Sequence, residues 1–410
     1  MTTTRGDQAR PAAHGRRLAR GLVVLTLAVA AGCGGPGSPG SPGSPGDAES
    51  TGSAEPTEST GPTEPVESTE SILGDALPSG SSGALVAGRG TTMDLCQGWG
   101  APDPDPGSGD APGCDTVFDI GSMTKQFTAA AIVRLDMDGL LEFSDPLADH
   151  LPDVPADKRS VTIEQLLTHS SGFLDSLGSD DEPLTRDAFL REALGSELLS
   201  KPGTTYLYSN VGYSLLTAVV EEASGQDYEA YLAEHLFVPA GMRATGYRLP
   251  DWSKEQVAAQ YDAEGRSHGT PLDQPWADDG PYWNLRGNGG LLSTPRDMFR
   301  WHVALLGDVV LDEDAKRELF EPRVREEPDE TYYAYGWVVD DPEDPSILWH
   351  NGGNGWSYGE IARDPAGDMF VFWVVNRSAG DGWDLGEDGG GFTSALFERL
   401  AKTGDTPADG

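Results

Sequence analysis

The 410-residue chain sets 28 Lys and Arg against 67 Asp and Glu, a formal charge of −39 with histidine neutral. A chain this acidic is repelled by nucleic acid and by anionic lipid surfaces, which excludes both as electrostatic partners. Its length allows one large domain or two of ordinary size.

Residues 1–33 read as a leader. Arg5, Arg10, Arg16, Arg17 and Arg20 precede the apolar run "GLVVLTLAVAA", which falls short of the roughly 20 residues a membrane-spanning helix needs. It has the length and flanks of a secretory signal core. The run ends in "AAGC", which resembles the lipobox of bacterial lipoproteins. That resemblance implies lipidation of Cys33, export, and a cell-membrane anchor with the body on the extracytoplasmic side. Residues 34–71 are dominated by Pro, Gly, Ser, Thr and Glu and cannot form a core. They read as a tether reaching on the order of 35 Å. The leader is net +4 and the tether −7, which leaves −36 on residues 72–410, read as a well-solvated surface. In an exported protein Cys96 and Cys114 are expected to pair, closing a loop that contains "APDPDPGSGDAPG".

The body opens on two predicted strands, "GALVAGRG" and "TTMDLCQGWG". The helix of "SMTKQFTAAAIVRL" follows, with Phe127, Ala131 and Leu135 along one face at i, i+4 and i+8. From about 145 to 330 come helical segments and Gly/Pro-rich loops, among them "VTIEQLLTH", "NVGYSLLTAVVEEASG" and "YEAYLAEHLF". Strands return in "YAYGWVVD", "SILWH", "YGEIARD" and "DMFVFWVVN", before a closing helix "FTSALFERL" and a tail at 401–410. Strands at both ends of a helical middle predict an α+β fold over 72–400. Its sheet is mostly antiparallel, built from both ends of the chain, covered by helices, and carries an inserted helical subdomain.

Ser122 and Lys125 stand at i, i+3, which puts both side chains on one helix face about 5–6 Å apart at Cβ. Ser122 falls near the helix N-terminus, where the dipole favours developing negative charge. A serine hydroxyl needs a base, and a desolvated lysine is one. Alone, S-x-x-K also fits an N-cap serine beside a solvated lysine. Two later stretches decide against that: Tyr208-Ser209-Asn210 at the mouth of a helical segment, and His350-Asn351-Gly352 at the end of an apolar strand.

In this order S-x-x-K, Y-S-N and H-x-G resemble the three motifs of the serine β-lactamase and penicillin-binding superfamily. The tyrosine marks the branch of class C β-lactamases, D-Ala-D-Ala carboxypeptidases and esterases. "FDIGSMTKQFTAAAIVRLDMDGLLEFSDPLADHLP", "VTIEQLLTHSSGF", "PGTTYLYSNVGYSLL" and "GNGGLLSTPRDMFRW" resemble that family's recurring phrases over about 84–400. The resemblance implies an acyl-enzyme on Ser122, activated by Lys125, with Tyr208 passing the proton to the leaving group. It assigns Asn210 to the substrate amide and to Lys125, and the oxyanion hole to the amides of Ser122 and Gly353, with Gly352 allowing close approach. Class C β-lactamases generally carry K-T-G as the third motif; here His350 and Asn351 replace the Lys and Thr. That departure argues against efficient β-lactam hydrolysis but not against an acyl-enzyme, and the resemblance implies as substrate a D-Ala peptide or β-lactam, or else an ester or D-amino acid amide, with His350 in a supporting role at the pocket rim.

Other readings fare worse. "GWSYG" at 355–359 fits a nucleophile elbow, but no histidine follows it to complete that triad. His169 in "LLTHSSG" reads as a packing residue, and "GNGG" at 287–290 as a tight turn near the site. Tyr282, Trp283 and Trp356 fit either a pocket wall or the core. No H-E-x-x-H or i, i+4 histidine pair occurs, so neither metal nor cofactor is expected. A catalytically dead relative that binds cell-wall peptides is the competing class, and the presence of Ser122, Lys125 and Tyr208 argues against it. Partners other than a small substrate and the lipid anchor are not expected.

Overall fold

A computed structural model describes residues 57–58, 78–100, 111–388 and 390–404. The leader with Cys33 lies outside the described residues, as does the tether except for Thr57–Glu58. The sheet has nine strands and uses both ends of the chain. β1 (Gly83–Arg89) and β2 (Thr92–Trp99) form a hairpin, and β3 (Leu348–Gly353), β4 (Tyr358–Arg363) and β5 (Phe370–Val375) form a meander. β1 pairs antiparallel with β5, so the centre of the sheet joins the first and last parts of the body. Val338–Val339, Tyr332–Tyr333 and Val324–Arg325 continue the sheet beyond β3. Thr57–Glu58, within the stretch read as tether, adds a short parallel strand beside β2.

Alternation along the central strands sends side chains to two cores. Ala84, Val86, Phe370, Phe372 and Val374 join the large core. Leu85, Ala87, Val371, Trp373 and Val375 join a smaller one, closed by Phe392 and Leu396 of α4 (Gly390–Gly404). That helix runs past the expected boundary at 400. Burial on both faces explains the unbroken apolar run "FVFWVV". "YAYGWVVD" departs from expectation: a turn from 334 to 337 interrupts it, leaving Tyr333 to end one two-residue strand and Val338–Val339 to form another.

α1 (Lys125–Met137) is buried over more than the one face that its spacing marks. Every residue from Lys125 to Val133 is buried, as is Leu135. It is the central helix of the large core, buried nearly all round, with Lys125, Gln126 and Thr128 buried beside its apolar residues. α2 (Asn210–Ser224) packs on it, with the Ser209 hydroxyl capping its start by accepting from the Gly212 amide. α3 (Pro295–Leu306) lies against β1 and β5 and is capped in the same way by Thr294. The remaining helices of the middle, including Ile163–Leu167, Arg186–Gly195 and Tyr228–Leu232, make the inserted layer. Cys96 and Cys114 are bonded and anchor β2 to the segment leading into the site.

Candidate active site

Ser122 sits in a short 3-10 turn, Gly121–Thr124, that runs directly into α1. The turn begins with Gly121 at φ +51°, a conformation that costs glycine little. Ser122 is half-buried, while Lys125 behind it is fully buried. Lys125 Nζ lies 3.1 Å from Ser122 Oγ, 2.7 Å from Asn210 Oδ1 and 2.7 Å from the Asn288 carbonyl oxygen. Burial pulls the amine down to about 7, against the opposing pull of Asp175 and Asp180. A neutral amine has two N–H bonds and one lone pair. Asn210 Oδ1 and the Asn288 carbonyl accept the two N–H bonds, which leaves the lone pair for the Ser122 hydroxyl.

Tyr208 completes the group from the other side. Its hydroxyl hydrogen-bonds Ser122, and burial pushes the phenol well up, so it holds its proton at neutral pH. Lys125 Nζ stands 4.7 Å from the centre of its ring. His169, read as a packing residue, packs here: its ring centroid is 4.3 Å from that of Tyr208, and its Nδ1 accepts the Ser209 amide at 3.0 Å. It therefore holds the Tyr208-Ser209 backbone in place.

The third motif approaches from β3. A Cβ on Gly352 would lie 2.2 Å from the Ile120 carbonyl oxygen and 2.7 Å from the Ser122 nitrogen. A Cβ on Gly121 would lie 2.3 Å from the Gly353 nitrogen. Strand and nucleophile turn are thus in backbone contact, bringing the amides of Ser122 and Gly353 together. His350 differs from expectation. It is 2% exposed and lies beneath the site, not at its rim. Its Nδ1 lies 2.5 Å from the Asn351 carbonyl oxygen and its Nε2 3.0 Å from the Tyr333 hydroxyl. Burial first, and then the Lys125 charge, lowers it to about 3, so it is a neutral imidazole.

Several participants carried no readable signal. Asn288 stands in "GNGG"; its side chain donates to Ser214 Oγ and the Asn284 carbonyl, fixing the backbone oxygen that meets Lys125. Asp175 accepts from Asn210 Nδ2 at 3.0 Å and so orients that amide. Ser357 of "GWSYG" is buried in the β3–β4 turn, where it accepts from Gln260 Nε2 and is no elbow. Trp283 is a core residue, and Trp356 stacks on His268.

Similarity to known proteins agrees with this arrangement. The beta-lactamase family model matches residues 79–387. A penicillin-binding protein of Bacillus subtilis (strain 168) is 31% identical over 255 residues, 58% of this chain and 56% of that protein. The chain spans about half the length of the curated relatives it matches. The crystal structure of a penicillin binding protein from Bacillus halodurans is 26% identical with TM-score 0.65, covering 81% of this chain and 98% of that one. A beta-lactamase/D-alanine carboxypeptidase from Yersinia pestis, complexed with citrate, shares the fold at 24% identity and TM-score 0.65, covering 80% and 97%. The chain belongs to the beta-lactamase family of serine hydrolases.

Proposed function

We propose that the protein is a cell-envelope hydrolase that cleaves an amide or ester through an acyl-enzyme on Ser122, as a D-alanyl-D-alanine carboxypeptidase does. One observation carries the reading: the buried Lys125 amine lies 3.1 Å from Ser122 Oγ, with Asn210 Oδ1 and the Asn288 carbonyl oxygen at 2.7 Å to accept its N–H bonds, so that once neutral its lone pair is left for Ser122. Ser122 Oγ attacks the substrate carbonyl carbon while Lys125 takes its proton. The oxyanion is held by the amides of Ser122 and Gly353. As the tetrahedral intermediate collapses, the leaving group takes the Tyr208 proton, and Tyr208 regains one from the Lys125 ammonium. Water repeats the sequence in reverse order to release the acid. Similarity to penicillin-binding proteins, and to a beta-lactamase/D-alanine carboxypeptidase of the same fold, supports a D-Ala peptide as substrate.

A second reading within the same chemistry, an ester or a D-amino acid amide, is favoured by the neutral, buried His350 and by Asn351, which offer no cation for a substrate carboxylate. Release of D-alanine from a peptide ending in D-Ala-D-Ala is compared with hydrolysis of a p-nitrophenyl ester and of D-amino acid amides, each beside Ser122→Ala. Peptide turnover lost in Ser122→Ala supports the carboxypeptidase reading. Ester or amide turnover alone moves the substrate assignment to the second reading. The tether and Cys33 lipidation place this body outside the membrane in the same proposal.

A further inference from the structure

Behind the nucleophile turn lies a carboxyl that the catalytic scheme does not use. Asp119 ends a two-residue strand paired with Leu292–Ser293, and it is 9% exposed. Its Oδ1 accepts from the Gly121 amide at 2.8 Å, directly ahead of Ser122. Its Oδ2 accepts from Asn354 Nδ2 at 2.8 Å, directly after Gly353. Asn354 cannot turn its amide round, because its Oδ1 accepts from the Trp356 and Ser357 amides, each at 2.8 Å. One carboxylate thus holds the residues next to both amides of the oxyanion hole, one from the turn and one from the strand.

We propose that Asp119 is a positioning residue that, through Asn354, fixes the separation of the Ser122 and Gly353 amides. The proposal rests on the acyl-enzyme reading above. It requires an acceptor at both oxygens of residue 119. An asparagine there keeps the acceptor for Gly121 but turns an N–H2 against that of Asn354, and a protonated carboxyl creates a similar mismatch. Burial raises Asp119 to about 6, with Asp180 the neighbouring charge that adds to the rise and Gly121, Asn354 and Gln260 opposing it. Below pH 6 the enzyme therefore takes up a second damaging proton after the one on Lys125.

The test is the rate at which a fluorophosphonate labels Ser122, followed by intact mass from pH 5 to 8 in the full-length protein. This reaction needs the nucleophile and oxyanion hole but no peptide recognition. Asp119→Asn is expected to slow labelling at pH 8 about 100-fold, the scale of an ångström misplacement. Its acid limb should depend on one proton where the wild type depends on two. The exchange Asp119→Asn with Asn354→Asp restores a donor opposite an acceptor and should recover the rate to within a few-fold. Equal labelling of Asp119→Asn and wild type overturns the inference while leaving the acyl-enzyme reading intact. So does an exchanged pair as slow as the single variant with an unchanged melting temperature. If Asp119→Asn fails to fold, the exchanged pair alone decides. A wild type not labelled at Ser122 overturns the catalytic reading and this inference with it.

Discussion

Gly352→Ala probes the contact on which the oxyanion hole depends. The added Cβ would lie 2.2 Å from the Ile120 carbonyl oxygen, whereas ordinary contact begins at 3.4 Å, so strand and turn must separate by about 1.2 Å. The Ser122 and Met123 nitrogens, at 2.7 and 2.8 Å, leave no direction in which the methyl group escapes. Both obstacles are backbone, which no rotamer change relieves. A misplacement of about 1 Å lowers rate about 100-fold, and loss of one oxyanion donor raises the barrier by about 2.7–4 kcal/mol. Gly352→Ala should therefore lower kcat/KM for an activated ester by about 10²–10³, mainly through kcat. Gly355→Ala, in the same hairpin but with nothing within 4 Å of its Cβ, is the control and should stay near wild type. Ester hydrolysis read beside melting temperature separates the catalytic effect from unfolding. A folded Gly352→Ala enzyme with wild-type kcat would refute the backbone contact.

The remaining expectations concern proton, packing and anchor. Since Lys125 sits at about 7, kcat/KM should rise about tenfold per pH unit between pH 6 and neutrality, more steeply below 6 where Asp119 also titrates, and then level, and Lys125→Met should abolish acylation. His350→Ala should leave that limb in place, because the imidazole is already neutral, while the Tyr333 hydroxyl keeps Tyr213 and loses one hydrogen bond, at about 1 kcal/mol of stability; a shifted acid limb would contradict the assignment. Reduction of Cys96–Cys114, separated by 18 residues, should cost about 3 kcal/mol, measured by denaturation with and without reductant. Cys33→Ser should move the protein from the membrane fraction to the soluble fraction, and unchanged fractionation would remove the lipid anchor from the proposal.

The motifs could be read because each pairs a chemical group with a local backbone form. Ser122 and Lys125 share a turn, and Tyr208-Ser209-Asn210 starts a capped helix. The α+β fold was legible for the same reason, since strand runs at both ends leave few ways to build one sheet. What escaped depends on tertiary contact. The i, i+4, i+8 spacing of Phe127, Ala131 and Leu135 says nothing of what covers the other face of α1. A backbone carbonyl at Asn288 carries no residue-type signal at all. His350 could be placed in the motif but not beneath it, because its burial depends on tertiary contacts such as that with Tyr333, 17 residues earlier and two strands away in the sheet. Asp175 and Asp119 look like two of many acidic surface residues in a chain of charge −39.

Intact mass of the purified protein, quenched at intervals after mixing with an activated ester and with a penicillin, tests the central claim most directly. The account expects a single acyl adduct that maps to Ser122, accumulates faster than it hydrolyses with at least one of the two reagents, and is absent in Ser122→Ala. Turnover that persists in Ser122→Ala, or an adduct mapping to any other residue, would contradict it.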